Sequence, residues 1–233
     1  MKTKLLVTMV LSMLVASVAM AEAACAAKCP KAAAGEKEGA DEGWITLFDG
    51  TSLDGWQNAR RPDGETKWAI EEGAMTNVGK APNIATKEEY KDFALSLEYK
   101  IVAHGNSGVY LRGRVEIQIL DSAGKTEMGA GDDGAIYDQF PPAVNASKPA
   151  GEWNTLEACY VGDTVCAKLN GQVIQDKTKI SQVTGGALPG AVDAAGPLML
   201  QGDHGKIWFR NVKIKPLAAD ACATGASCCP ASK

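Results

Sequence analysis

Residues 104–121 read HGNSGVYLRGRVEIQILD, and the last six residues before the closing Asp121 decide the fold. In VEIQIL, Val115, Ile117 and Ile119 alternate with Glu116 and Gln118. A strand turns successive side chains to opposite faces, so the three aliphatics share one face and the acid and amide share the other. Upstream, the turn-prone run Gly105-Asn106-Ser107-Gly108 leads into VYL, and Arg112-Gly113-Arg114 breaks the chain before the strand begins. The greasy back is suited to packing on a second sheet. The polar front, beside two arginines, is suited to a sugar-sized polar ligand.

Outward from that stretch the same signals recur. FALSLEYKIV (93–102) places Phe93, Leu95, Leu97, Tyr99 and Ile101 on one face and Ser96, Glu98 and Lys100 on the other. ITLF (45–48) is a short strand between turn signals, and Trp44, Phe48 and Trp56 read as core anchors. KWAIE and AMTN flank Glu72-Gly73 as one hairpin, and EWNTLEACY and TVCAKLN flank Gly162-Asp163 as another. GPLMLQG (196–202) and IWFRNVKIKPL (207–217) are the last strands, joined by Asp203-His204-Gly205. Residues 86–90 make one helical turn at most. Roughly ten short strands, with turn signals about every eight to twelve residues and no amphipathic helix, predict an all-β, antiparallel two-sheet sandwich.

The 233 residues carry a formal charge of −4 with 45% hydrophobic residues, which fits a single β-sandwich domain. There is no basic stripe interleaved with aromatics, so nucleic acid is not expected as a partner. Residues 1–21 read as a secretory signal peptide: Lys2 and Lys4 precede a long apolar run, and Ala19-Met20-Ala21 supplies small residues at a cleavage site. That run is short for a membrane span, and no other is long enough. A secreted or periplasmic location follows, with a lipid anchor on Cys25 as the lesser alternative. Residues 22–42 read as a disordered Ala/Lys/Glu linker, 43–217 as the domain, and 218–233 as a disordered Cys-containing tail.

Seven cysteines in an exported chain suggest disulfides. Cys25 and Cys29 precede the domain, and Cys222, Cys228 and Cys229 follow it; disulfides or unstructured tails explain these better than a metal cluster. If Gly162 and Asp163 form a two-residue loop, Cys159 faces Cys166 on the neighbouring strand, as a cross-strand disulfide or as two reduced core thiols. GAMTNVGK tempts a phosphate-loop reading but fails it, because five residues separate Gly73 from Gly79 and Ala81 stands where a hydroxyl is required. Residues 122–150 form a long polar loop of the kind that serves as a lid or ligand rim. Asp132 and Asp133 in it lack calcium-loop spacing and read as plain loop acids.

Several separated motifs, in order, resemble one family: WITLFDGTSLDGW, FALSLEYKI, NSGVYLRGRVEIQILD, GAIY, GEWNTLE with LNG, and LQGDHGKIWFRNVKIK. The chain resembles the 3-keto-disaccharide hydrolase domain family over residues 43–217. That resemblance implies a concanavalin A-like jelly roll and an enzyme acting on glycosides already oxidised at C3. The ketone acidifies the C2 proton, so a base can form an enolate that expels the C1 aglycone, and water then adds back. Such a site needs a base near C2, donors for the enolate oxygen and an acid for the leaving group. No cofactor is implied, since the redox step lies in another enzyme; a divalent metal is left open, and no metal ligands are assigned.

His204, in LQGDHG, is the expected general base or acid, with Asp203 orienting the ring. Glu116 and Asp121 are the candidate catalytic carboxylates, although alternation puts them on opposite faces unless the strand bends. Arg112, Gln118, Asn106, Tyr137 and Gln201 complete the expected substrate-binding set. His104 reads as a loop histidine, and Arg210 as paired or at a sheet edge. A lectin-like binding module and a conventional two-carboxylate glycoside hydrolase are the alternatives.

Overall fold

The computed structural model describes residues 43–219. The segments read as signal peptide and linker, almost all of the segment read as the tail, and the five cysteines outside the domain lie outside these residues. Among the described residues there is no α-helix, and no helix long and apolar enough to cross a membrane. Thirteen strands form two antiparallel sheets, the sandwich expected from the strand pattern and the concanavalin A-like jelly roll that the family resemblance implies.

The larger sheet has the order β11 (Gln172–Lys179), β10 (Thr164–Leu169), β9 (Asn154–Val161), β6 (Phe93–Ile101), β13 (Ile207–Pro216), β4 (Ala74–Asn77), β3 (Trp68–Glu71). β1 (Ile45–Phe48) also pairs with β13. Strand β13 can serve β4 with its first half and β1 with its second because it bulges between them. Arg210 faces Glu98 and Lys213 faces Ser96, so Asn211 and Val212 share one place opposite β6, with Asn211 at φ 52°. The smaller sheet has the order β2 (Trp56–Asn58), β5 (Ile84–Thr86), β12 (Met199–Leu200), β7 (Asn106–Leu111), β8 (Val115–Leu120).

The core lies between the sheets. Leu95, Leu97, Tyr99, Ile207 and Phe209 from the larger sheet join one buried cluster with Val109, Leu111, Val115, Ile117 and Ile119 from the smaller. Phe48 and Trp56 are buried as expected, whereas Trp44 is half-buried against a small satellite cluster. The hairpin of β9 and β10 has the expected register, Cys166 opposite Cys159, and no disulfide joins them. Strands β2, β5 and β11 are additions to the sequence reading. Thr86 ends β5, and residues 87–90 form bends and an isolated bridge rather than a helical turn.

Candidate active site

The hairpin of β7 and β8 sets the site. Val109 faces Ile117 and Leu111 faces Val115 on the core side, so Tyr110 faces Glu116 and Gly108 faces Gln118 on the other. That outer face is covered. Residues 134–137 run along the free edge of β8, with Gln118 N–H donating to Ala135, Gly134 N–H to Gln118 and Tyr137 N–H to Glu116. Over the top, Thr184 N–H donates to the Arg114 carbonyl, the Thr184 hydroxyl accepts the Glu116 N–H at 3.0 Å, and the Tyr110 hydroxyl donates to the Gly185 carbonyl at 3.0 Å.

The long loop is held by the two acids read as plain loop residues, and both are buried. Asp133 accepts from the Tyr99 hydroxyl at 2.7 and 2.8 Å, from the Ser147 hydroxyl at 2.7 Å and from Leu120 N–H at 3.3 Å. Burial pushes its carboxyl up to about 6 although these bonds pull it back. Asp132 accepts from Lys125 Nζ and Gly129 N–H, both at 2.6 Å, and stays below the usual carboxylate range because these bonds outweigh its desolvation. The two acids fix the loop that carries Tyr137 to the cavity rim.

The result is a cavity of about 250 Å³ that brings together Asn106, Glu116, Gln118, Tyr137, Gln201 and His204, with Tyr110, Gly185 and Gly186. Glu116 is only 2% exposed, and no cation pairs with it among the described residues. Desolvation pushes its carboxyl up to about 7; the Tyr110 hydroxyl counters this, and the Asp203 charge adds to it. Burial likewise raises Tyr110 well above the usual phenol range. The Glu116 side chain reaches across to Gly108, where a Cβ would collide with its carboxylate oxygen.

At the opening, His204 Nδ1 and Asp203 Oδ1 are 2.6 Å apart. A carboxylate accepts, so Nδ1 carries the proton and Nε2 is left to exchange one with a ligand. Both side chains are half-exposed. Gln201 donates weakly to the Tyr110 hydroxyl at 3.5 Å, and its Oε1 is buried without a partner. Whichever way the amide is turned, one polar group remains for a ligand to meet.

Two expected residues lie elsewhere. Arg112 is fully buried on the far side of its turn, where it donates to the carbonyls of Lys91 and Gly162, pairs with Asp92 at 3.1 Å and stacks 3.6 Å over the Tyr160 ring. The cause is the turn itself: Arg112 has φ 53° and Gly113 has φ 66°, which takes the side chain out of the alternation of β7. Arg114 is also structural, donating to the carbonyls of Pro189, Ala194 and Ala195. Asp121 accepts the His104 N–H at 2.9 Å and does not line the cavity. The strand does not bend to bring it beside Glu116, so the two-carboxylate reading loses Asp121 as its second acid.

Tyr110 lines the cavity without being part of the expected site. It shares parity with Asn106 and Gly108 in β7, so period two would have put it on the cavity face. Thr184, Gly185 and Gly186 carry no such signal, because long-range pairing alone brings their loop to the site.

Comparison with known proteins fits this geometry. A Bacteroides thetaiotaomicron protein described as a 3-keto-disaccharide hydrolase is 26% identical over 76% of this chain and 79% of its own length. A crystal structure of a candidate glycosyl hydrolase from Parabacteroides distasonis is 31% identical, covers 76% of this chain and 84% of its own, and superposes with a TM-score of 0.65. A second from the same organism is 25% identical over 79% of this chain and 98% of its own, again with a TM-score of 0.65. Residues 43–215 match the 3-keto-alpha-glucoside-1,2-lyase-like domain, and the chain belongs to that family.

Proposed function

We propose that this protein cleaves glycosides whose sugar ring already carries a ketone at C3, by eliminating the C1 aglycone and then hydrating the product. That it is a carbohydrate-active enzyme of the glycoside hydrolase type follows from the family and its relatives. The elimination chemistry is supported by one observation above the rest. A buried carboxylate whose pKa is about 7 shares a sugar-sized cavity with His204, whose other ring nitrogen is held by Asp203.

A base works best when its pKa lies near the working pH, and burial has moved Glu116 there. In the first step Glu116 takes the C2 proton, and the C–H electron pair becomes an enolate ending on the C3 oxygen. Asn106, Gln118 and Tyr137 line the same cavity and supply donors for that oxygen. The enolate then reforms the ketone, C1=C2 forms, and the C1–O bond breaks. His204 in its protonated form gives its Nε2 proton to the departing oxygen, while Asp203 holds the Nδ1–H side of the ring. In the second step neutral His204 takes a proton from water as its oxygen adds to C1, and Glu116, its proton exchanged with solvent between the steps, protonates C2, which restores both groups. The signal peptide read in residues 1–21 supports action outside the cytoplasm.

The test is turnover of a 3-keto-glucoside beside its parent glucoside in deuterium oxide, followed by NMR at early times against enzyme-free product. Cleavage of the keto compound alone, with deuterium at C2, is expected. Cleavage of the parent without exchange would replace elimination with ordinary hydrolysis, and binding without turnover would make the cavity a lectin site.

A further inference from the structure

A second cavity of about 330 Å³ opens beside the first and shares Gly186, Gln201 and His204 with it. His204 therefore stands on the border between two compartments. With Glu116 in the first, and a proton from His204 going to the bridging oxygen, the second receives whatever leaves. Its remaining wall comes from β2 and the loop after it: Asn58, Arg60 and Arg61, with Pro82 and Asn83.

This wall is built. Asn58 is 2% exposed, and its Oδ1 accepts the backbone N–H groups of both Arg60 and Arg61 at 3.1 and 3.0 Å, while its Nδ2 donates to the Glu65 carbonyl at 3.0 Å. Arg60 Nη2 donates to the carbonyls of Gly186 at 2.9 Å and Ala187 at 3.3 Å, tying this loop to the one over the first cavity. Carbonyls satisfy its donors without neutralising its charge. Among the described residues neither guanidinium forms an ion pair, and the Arg61 side chain makes no hydrogen bond. The one acid in the cavity, Asp203, is engaged by His204. Two unneutralised guanidiniums in a cleft of this size favour a ligand with an oxyanion, which an arginine fork binds in bidentate fashion.

We propose that this second cavity is the aglycone subsite and that Arg60 and Arg61 select glycosides whose leaving group carries a carboxylate or phosphate. The proposal rests on the elimination reading for its reaction but not for its ligand. Two 3-keto-disaccharides differing only at C6 of the leaving sugar, carboxylate against hydroxymethyl, measure it directly. At low ionic strength kcat/KM is expected to be at least tenfold higher for the acid, and the ratio to fall toward one in Arg61→Gln and below one in Arg61→Glu. The exposed, unbonded Arg61 side chain makes both variants safe for folding. A wild-type ratio near one, or a ratio unmoved by Arg61→Glu, overturns the proposal. A phenyl phosphate leaving group in place of the acid sugar separates the two anion sources by their relative rates. If neither disaccharide is cleaved, titration calorimetry with glucuronate decides. Binding that weakens at least tenfold in Arg61→Glu keeps the subsite and discards the elimination reading; no binding overturns both.

Discussion

Strands β6 and β8 each carry a glutamate on the face turned away from the core, and the two end in opposite circumstances. Glu98 lies on the open face of the larger sheet, its side chain 25% exposed, paired with Arg210 Nε at 2.6 Å and accepting from Asn211 at 3.2 Å. Around it, Arg210 stacks 4.0 Å over Trp153, and Lys100 sits 5.1 Å from Trp153 and 4.7 Å from Trp208. Glu116 lies on the covered face of the smaller sheet, with a phenol, an amide and a second acid for company. The strands are alike: FALSLEYKI and VEIQIL alternate in the same way. The loops differ, and they decide which glutamate is solvated and paired and which is held near its titration point.

Exchange of the two glutamates for glutamine should break the comparison most sharply. Glu116→Gln is expected to lower kcat/KM on a 3-keto-glucoside by about 10²–10⁴-fold, the usual contribution of a positioned base. Glu98→Gln should stay within about threefold, because its loss touches only an ion pair on the far sheet. Equal losses would remove Glu116 from the chemistry.

The next effect is steric. Gly108→Ala puts a methyl where the Glu116 carboxylate rests, and that carboxylate is the far end of a flexible side chain. Displacement is therefore expected to show in kcat, by roughly 10–100-fold, as a base moved by about an ångström performs poorly. Circular dichroism melting should change little by comparison. A large fall in Tm with normal kcat would locate the strain in the sheet instead.

Stability gives a third, smaller contrast with a definite sign. The Glu116 carboxyl rises from 4.5 to about 7 on folding, so the native state loses roughly 3 kcal/mol relative to the unfolded chain as pH climbs through that window. Below 4.5 both states hold the proton and nothing is lost. Glu116→Gln should match wild type near pH 4 and be more stable near pH 8, by denaturant unfolding at both values. A gap independent of pH would contradict the buried, unpaired carboxylate. Smallest of all, Arg210→Ala should cost no more than about 1 kcal/mol, since its partner is partly solvated.

The long alternating strands were legible because period two repeats often enough to be read. Val115 to Leu120 and Phe93 to Ile101 carried both the fold and the face that bears Glu116 and Gln118. β2 and β5 were not, because three residues give barely one repeat. β11 was hidden for another reason: it is an edge strand whose pairing with β10 shifts register twice, and Lys177 has φ 51°. In the site, Asn106, Gln118, Tyr137, Gln201 and His204 reached the cavity with Glu116, some by parity and some by family motif. Arg112 did not, because neighbours in sequence part company at a turn with positive φ. Arg60, Arg61 and Thr184 come from loops whose place depends on contacts across more than 60 residues. Alternation within a strand says nothing about those.

The contact between Gly108 and Glu116 also bears on how such a protein can change over generations. The hydrogen at Gly108 is the floor on which the carboxylate lies, so the occupant of either position limits what the other can hold. With glutamate at 116, any side chain at 108 has to displace the carboxylate from its place in the cavity. A lineage that shortens residue 116 is released, and side chains can accumulate at 108 until the way back is closed.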